Sequence, residues 1–162
     1  MVKVSDKAFL YRLLNDAGVS FSVGDFDSRM RLQKAAYLLR AMGAPLDYSY
    51  NWYMRGPYSP GLTATLFEIA SHKKTVAEEA TTVSIGPKAQ AKIDNLARVL
   101  KDKPSSVPTL ARWYELLAST AYLVRAGKSE SSIRKQMLLE KNFSSSDVDR
   151  ALDDLRRLGI CK

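Results

Sequence analysis

Residues that build metal sites and covalent catalysts are scarce in this sequence. Its 162 residues include one cysteine, Cys161, and one histidine, His72. A single cysteine cannot form a disulfide within the chain, and a zinc site would need carboxylates for most of its ligands. A nucleophile-histidine arrangement would have to use His72, at the polar end of a predicted helix, or Cys161, next to the last residue. We therefore predict a non-enzymatic protein with no catalytic residues, no cofactor and no metal site.

Long apolar runs and phosphate-binding loops are also missing. No segment reaches the roughly 20 apolar residues that a membrane helix needs. The opening "MVKVSDKAFL" lacks the apolar core of a secretory signal. The segment "SIGPKAQ" has one glycine and lacks the Lys-Ser/Thr ending of a P-loop. These absences predict a soluble, cytoplasmic protein with no membrane partner.

Basic residues outnumber acidic ones. The net charge is +8, from 25 lysines and arginines against 17 aspartates and glutamates. A basic surface attracts anionic partners, nucleic acid among them, but it also keeps a protein soluble. The surplus is spread along the whole chain, so both interpretations stay open.

Apolar residues recur at helical spacing along most of the chain. This pattern predicts a mainly α (α+β) fold, a bundle of about seven helices with a small two-stranded antiparallel sheet. The predicted N-caps are Ser5, Asp25 or Asp27, Ser59, Ser129 and Ser144, and the predicted terminating glycines are Gly18, Gly43, Gly127 and Gly159. We expect residues 1–104 to form a helical core with the sheet. The C-terminal helices of residues 105–162 are expected to pack on it as one globular unit, after the linker "KDKPSSVP".

Residues 48–54 switch to a period of two, which predicts a half-buried strand. One face carries Tyr48, Tyr50, Trp52 and Met54. We expect that face to point into the core, because each large aromatic ring buries about 150 to 250 Å². The opposite face carries Tyr53 and Arg55. The short β-branched run "TTVSI" at 81–85 is predicted to be the pairing strand.

The two last helices, within residues 129–158, form a predicted C-terminal hairpin. Their spacing resembles a helix-turn-helix core, in which the second helix would enter a major groove. That helix is acidic at its start, where phosphates would come closest. Its four aspartates are Asp147, Asp149, Asp153 and Asp154. Packing of the hairpin on the main body is therefore the favoured interpretation.

The stiff segment "RGPYSPG" and the second helix supply the candidate partner-binding residues. Two prolines and a glycine fix the loop, so that it loses little entropy on binding. The candidates are Tyr53, Arg55 and Tyr58, together with the basic face of the second helix, Arg29, Arg31, Lys34 and Arg40. An arginine beside a tyrosine can contact a protein partner, and basic residues beside aromatic rings can also clamp nucleic acid.

The segments "RLQKAAYLLRAMGAPLDY" and "NWYMRGPYSPGL" together resemble the Panacea-domain (SocA-like antitoxin) families and the related YwgA-like proteins. The matching positions are Leu32, Gln33, Lys34, Tyr37 and Leu38 on the helix, then Gly56, Pro57 and Pro60. The resemblance implies a mainly helical, non-enzymatic domain of prokaryotic or mobile-element origin that binds another protein, a toxin in the SocA-like cases. Our first hypothesis is therefore a protein-interaction module, and the alternative is a nucleic-acid-binding regulator that uses the basic surface.

Overall fold

The computed structural model describes residues 4–162, with side chains from Asp6 onward. This part of the chain is mainly helical, as predicted, with eight α-helices and one two-stranded antiparallel sheet. The helices are α1 (Val4–Asp16), α2 (Phe26–Ala41), α3 (Pro60–Ser71), α4 (Lys73–Ala80), α5 (Pro87–Lys101), α6 (Leu110–Arg125), α7 (Glu130–Lys141) and α8 (Ser145–Arg157). The strands are β1 (Asn51–Tyr53) and β2 (Gly56–Tyr58). Between residues 4 and 162, no helix combines the length and the apolar character needed to cross a membrane.

Predicted side-chain caps begin four of the eight described helices. Oxygens of Asp25, Ser59, Ser129 and Ser144 accept hydrogen bonds from backbone N–H groups in the first turns of α2, α3, α7 and α8. Such a bond satisfies a donor that the helix itself leaves unpaired. The prediction for Ser5 is wrong, because α1 begins at Val4 and Ser5 lies within it.

The structure contains one helix more than the seven that the sequence pattern predicts. This additional helix is α4. Only two of its residues are buried, Val76 and Ala80, and with eight residues it is the shortest of the described helices. It packs against α1. His72 follows α3 and precedes α4, with an exposed side chain.

The predicted pairing of residues 81–85 with the strand is wrong. The chain after α4 is not a strand, and the guanidinium of Arg12 donates to the carbonyl oxygens of Ala80 and Val83 at 3.2 and 2.6 Å. The bond to Val83 satisfies a backbone carbonyl that a strand over residues 81–85 would have paired. The sheet is instead a hairpin, in which Asn51 faces Tyr58 and Tyr53 faces Gly56.

Helices α2 and α6 form the centre of the fold and run in the same direction. The Tyr37 and Tyr122 rings lie 6.1 Å apart between their centroids, and Arg40 and Arg125 share a cleft one turn further along. The largest fully buried side chain, Trp113 of α6, donates its indole N–H to the carbonyl oxygen of Val99 at 2.9 Å. The predicted C-terminal hairpin is present as α7 and α8, and α8 also packs on α6.

Candidate functional site

A groove of about 410 Å³ separates the first half of α2 from the β1–β2 hairpin. Three α2 residues form one wall, and three hairpin residues form the other. We call it the hairpin groove, and its walls are Phe26, Arg29 and Met30 on α2, with Tyr53, Arg55 and Tyr58 on the hairpin. Most of the exposed lining is apolar, with two guanidinium groups among the rings. The groove therefore has the character of a recognition surface.

Gln33 and Lys34 attach the hairpin to α2 from beneath the groove. The side-chain amide of Gln33 donates to the carbonyl oxygen of Ser59 at 2.8 Å. It also accepts a hydrogen bond from the backbone N–H of Ser59 at 3.0 Å. The ammonium of Lys34 donates to the carbonyl oxygen of Pro57 at 2.6 Å. Both side chains are 1 % exposed. The prediction that Lys34 faces solvent or an anionic partner is therefore wrong, because the hairpin covers it and uses its charge to pair a backbone carbonyl.

Gly56 seats the hairpin on α6. Its φ angle is +92°, in the left-handed region that side chains disfavour. A Cβ atom at this position would lie 2.2 Å from the hydroxyl oxygen of Ser119. Glycine is required here both by the turn and by the close approach of the helix.

A cluster of buried charges lies under the hairpin turn. The carboxylate of Glu115, on α6 and 1 % exposed, faces the cations of Arg112 at 3.3 Å, Arg55 at 3.7 Å and Lys141 at 4.0 Å. The ammonium of Lys141 also donates to the carbonyl oxygens of Tyr53 (3.2 Å) and Met54. The turn is thus held by a cation from α7, and several cations share one carboxylate.

Burial lowers the pKa of both Lys34 and Lys141. Desolvation lowers the pKa of Lys34 to about 7, with Glu115 opposing the change and Lys141 and Arg55 adding to it. Desolvation also lowers the pKa of Lys141, again against the attraction of Glu115. A charged ammonium loses hydration when it is buried, and one carboxylate compensates only part of that loss.

Five of the predicted binding residues meet at the hairpin groove. Tyr53, Arg55, Tyr58, Arg29 and Lys34 all border it. The rings of Tyr53 and Tyr58 pack edge to face with centroids 5.4 Å apart, and the Tyr58 hydroxyl is 2.6 Å from that of Thr63.

The two remaining predicted residues lie elsewhere. Arg31 is half-buried, and its guanidinium donates to the Ser28 hydroxyl at 3.4 Å. Arg40 is exposed at the far end of α2, where it lines a different cleft. The basic residues of α2 therefore do not form one surface.

The inward face of the predicted strand is only partly as expected. Tyr48, Tyr50 and Trp52 are half-buried against the core, and the Trp52 ring lies 5.5 Å from that of Tyr122. Met54 is 86 % exposed, which contradicts its predicted burial. The strand ends at Tyr53, so Met54 lies in the turn, where the alternation of a strand no longer applies.

Several residues of the site have no clear signal in the sequence. Phe26 is 54 % exposed at the start of α2, and its ring lies 5.9 Å from the Arg55 guanidinium. Lys141 reaches the turn from α7. Glu115 is the exception, because a glutamate within the apolar run "RWYELLAS" is a signal of a buried charge.

The arginines of α8 are engaged in ion pairs. Arg150 pairs with Asp154 and Asp102, Arg157 also pairs with Asp154, and Arg156 pairs with Glu130 and Asp153. Pairing with carboxylates neutralises the positive charge that phosphate contacts would need. This arrangement fits the packed hairpin better than a recognition helix.

No group of three His, Cys, Asp or Glu residues within 4–162 is placed so that it could hold a metal ion.

Comparison of the chain with protein-family models, with curated proteins and with solved structures finds no match.

Proposed function

We propose that the chain is a protein-interaction module that binds a segment of its partner in the hairpin groove. The observation that carries the proposal is the concentration of exposed apolar side chains around one groove. Phe26 is 54 % exposed, Tyr53 45 % and Met54 86 %. Exposed rings around a concave surface are typical of places where a partner inserts an anchor side chain.

The rigidity of the groove supports the same function. Gln33 and Lys34 bond the backbone of the hairpin, and Gly56 places it directly against Ser119. A wall that is held in place before binding loses little conformational entropy when the partner arrives. The hairpin groove is therefore suited to tight binding through a small contact area.

The charges indicate which partner segment fits. Arg29 and Arg55 border the groove, and the cations of the buried cluster outnumber its carboxylate. An apolar anchor flanked by aspartate or glutamate would complement this surface. The resemblance to SocA-like antitoxins makes a toxin protein that carries such a segment the first partner to test.

The experiment compares the proteins captured by the wild-type chain and by variants, using quantitative mass spectrometry. The test variant is Phe26→Ala with Tyr53→Ala, and the matched control is Leu139→Ala, which truncates a side chain that is 73 % exposed on α7. We expect a partner that the control retains and the double variant loses, with both variants melting near the wild-type temperature. An unchanged set of captured proteins in the double variant would contradict the proposal.

A further inference from the structure

A second cleft, of about 260 Å³, lies at the C-terminal ends of α2 and α6. We call it the tyrosine-arginine cleft, and its lining includes Tyr37, Arg40, Tyr50, Tyr122 and Arg125. It is formed by the last turns of the two helices, whereas the hairpin groove borders the first half of α2. Neither the ion-pair cluster nor the apolar rim of the hairpin groove extends into it.

The charge of this cleft is entirely positive among its lining residues. Arg40 and Arg125 are exposed, and neither forms an ion pair with a carboxylate of the described chain. Burial raises the pKa of Tyr37 to about 12, and both arginines act on this hydroxyl in the opposite direction. Both arginines line the same small cleft.

Tyrosine rings that pack on one another form part of the cleft wall. The Tyr37 and Tyr50 rings pack edge to face with centroids 4.9 Å apart, and the Arg40 guanidinium lies 5.6 Å from the Tyr50 ring centre. The Tyr50 hydroxyl is buried and has no hydrogen-bond partner within the described residues. A buried donor without a partner is uncommon in folded proteins and calls for an explanation.

We propose that the tyrosine-arginine cleft binds the phosphoryl group of a phosphate monoester, carried by a mononucleotide or by the end of a nucleic-acid strand. Guanidinium groups match phosphate oxygens in geometry as well as in charge. The cleft, at about 260 Å³, is large enough for a phosphoryl group with its adjoining sugar. This site is independent of the hairpin groove.

The same arginines have a competing structural role, because cations stabilise helix C-termini. Each helix end carries about half a negative charge, which two full positive charges outweigh. A purely structural role predicts that removing either arginine lowers the melting temperature and leaves ligand binding unchanged.

Isothermal titration calorimetry at low salt tests the site with inorganic phosphate, AMP and adenosine. We expect AMP and phosphate to bind and adenosine, which lacks the phosphoryl group, to give no signal. Arg40→Ala and Arg125→Ala should each weaken AMP binding by about tenfold or more. Arg125→Lys, which keeps the charge and loses the planar fork, should weaken it less, and this variant keeps the test valid if the alanine variants unfold.

The control is Arg98→Ala, which removes an exposed arginine of α5 and makes the same change in net charge. Its AMP binding should match that of the wild type. A 5′-phosphorylated oligothymidylate that binds more tightly than AMP would identify a strand end as the source of the phosphoryl group, and weaker binding would identify a mononucleotide. The proposal is overturned by no binding of AMP and phosphate at millimolar concentration, or by equal weakening in Arg98→Ala and Arg125→Ala.

Discussion

The ammonium of Lys34 lies 2.6 Å from the carbonyl oxygen of Pro57 and is 1 % exposed. A side chain of α2 thereby donates a hydrogen bond to a backbone carbonyl of the β1–β2 hairpin. Lys34, Gln33 and Gly56 also belong to the two sequence segments on which the expected resemblance to the Panacea-domain families rests. In this fold those positions attach the hairpin to the helical core, and the side chains of the hairpin groove lie above them.

Two replacements of Lys34 separate the contributions that its size and its charge make to the free energy of unfolding. We expect Lys34→Ala to lower the free energy of unfolding by about 2–4 kcal/mol, because it leaves a cavity and an unpaired carbonyl. Lys34→Met should cost clearly less, since it fills the space and removes a buried charge. Urea denaturation measures both changes. Equal losses in the two variants would contradict the importance of packing at this position.

Stability should rise with pH in the window from about 7 to about 10. The pKa of Lys34 is about 7 in the folded chain and 10.5 ordinarily, so the unfolded chain binds more protons between these values. The stability gained by deprotonation of Lys34 is fully present above a pH of 10.5. It is lost as the pH falls through about 7, where the buried amine becomes charged. Deprotonation of tyrosines in the unfolded chain limits the window at the upper end. Lys34→Met should flatten the rise in urea titrations at several pH values.

Gly56→Ala should destabilise the chain through two separable effects. The new Cβ would meet the Ser119 hydroxyl, and the left-handed backbone would cost roughly a further 1–2 kcal/mol. Ser119→Ala removes a buried hydroxyl without a hydrogen-bond partner and should alone be nearly neutral. In a double-mutant cycle, Ser119→Ala should therefore recover the steric part of the loss and leave the backbone part. Strict additivity would show that the two residues do not meet.

Glu115→Gln should be strongly destabilising, by roughly 3–5 kcal/mol. The carboxylate is the common partner of Arg112, Arg55 and Lys141, and its loss leaves the buried ammonium of Lys141 without a carboxylate. The control is Glu78→Gln, because Glu78 is exposed on α4 and should tolerate the change. Guanidinium denaturation would screen the charges, so urea is the suitable denaturant. A loss no larger than that of the control would show that the cluster is not held by this carboxylate.

Arg55→Ala should separate binding from stability. The side chain is 49 % exposed and its contact with Glu115 is long, at 3.7 Å, so the melting temperature should change little. Binding of a partner identified by the capture experiment should weaken by about tenfold or more, since arginine is one of the residues enriched among interface hot spots. A large fall in melting temperature would instead assign Arg55 to the structure of the hairpin.

The sequence by itself determined seven of the eight described helices and most of their ends. Caps such as Asp25 and Ser144 act on backbone groups three residues away, so the information is local and is present in the printed sequence. The same holds for Pro60 after its cap Ser59 at the start of α3. The sequence pattern misses helix α4, because this helix has only eight residues and Val76 is its only large apolar side chain.

Only the tertiary structure decided which polar residues are buried and which meet. Lys34 looks like part of a basic helix face until the hairpin, 23 positions later, covers it. Glu115 and Lys141 reach the turn from α6 and α7, and Arg40 joins Arg125 because α2 and α6 run side by side. Helical periodicity specifies the face on which a residue lies but not the element that packs there. That choice depends on long-range packing, so the hairpin groove and the tyrosine-arginine cleft emerge only in the folded chain.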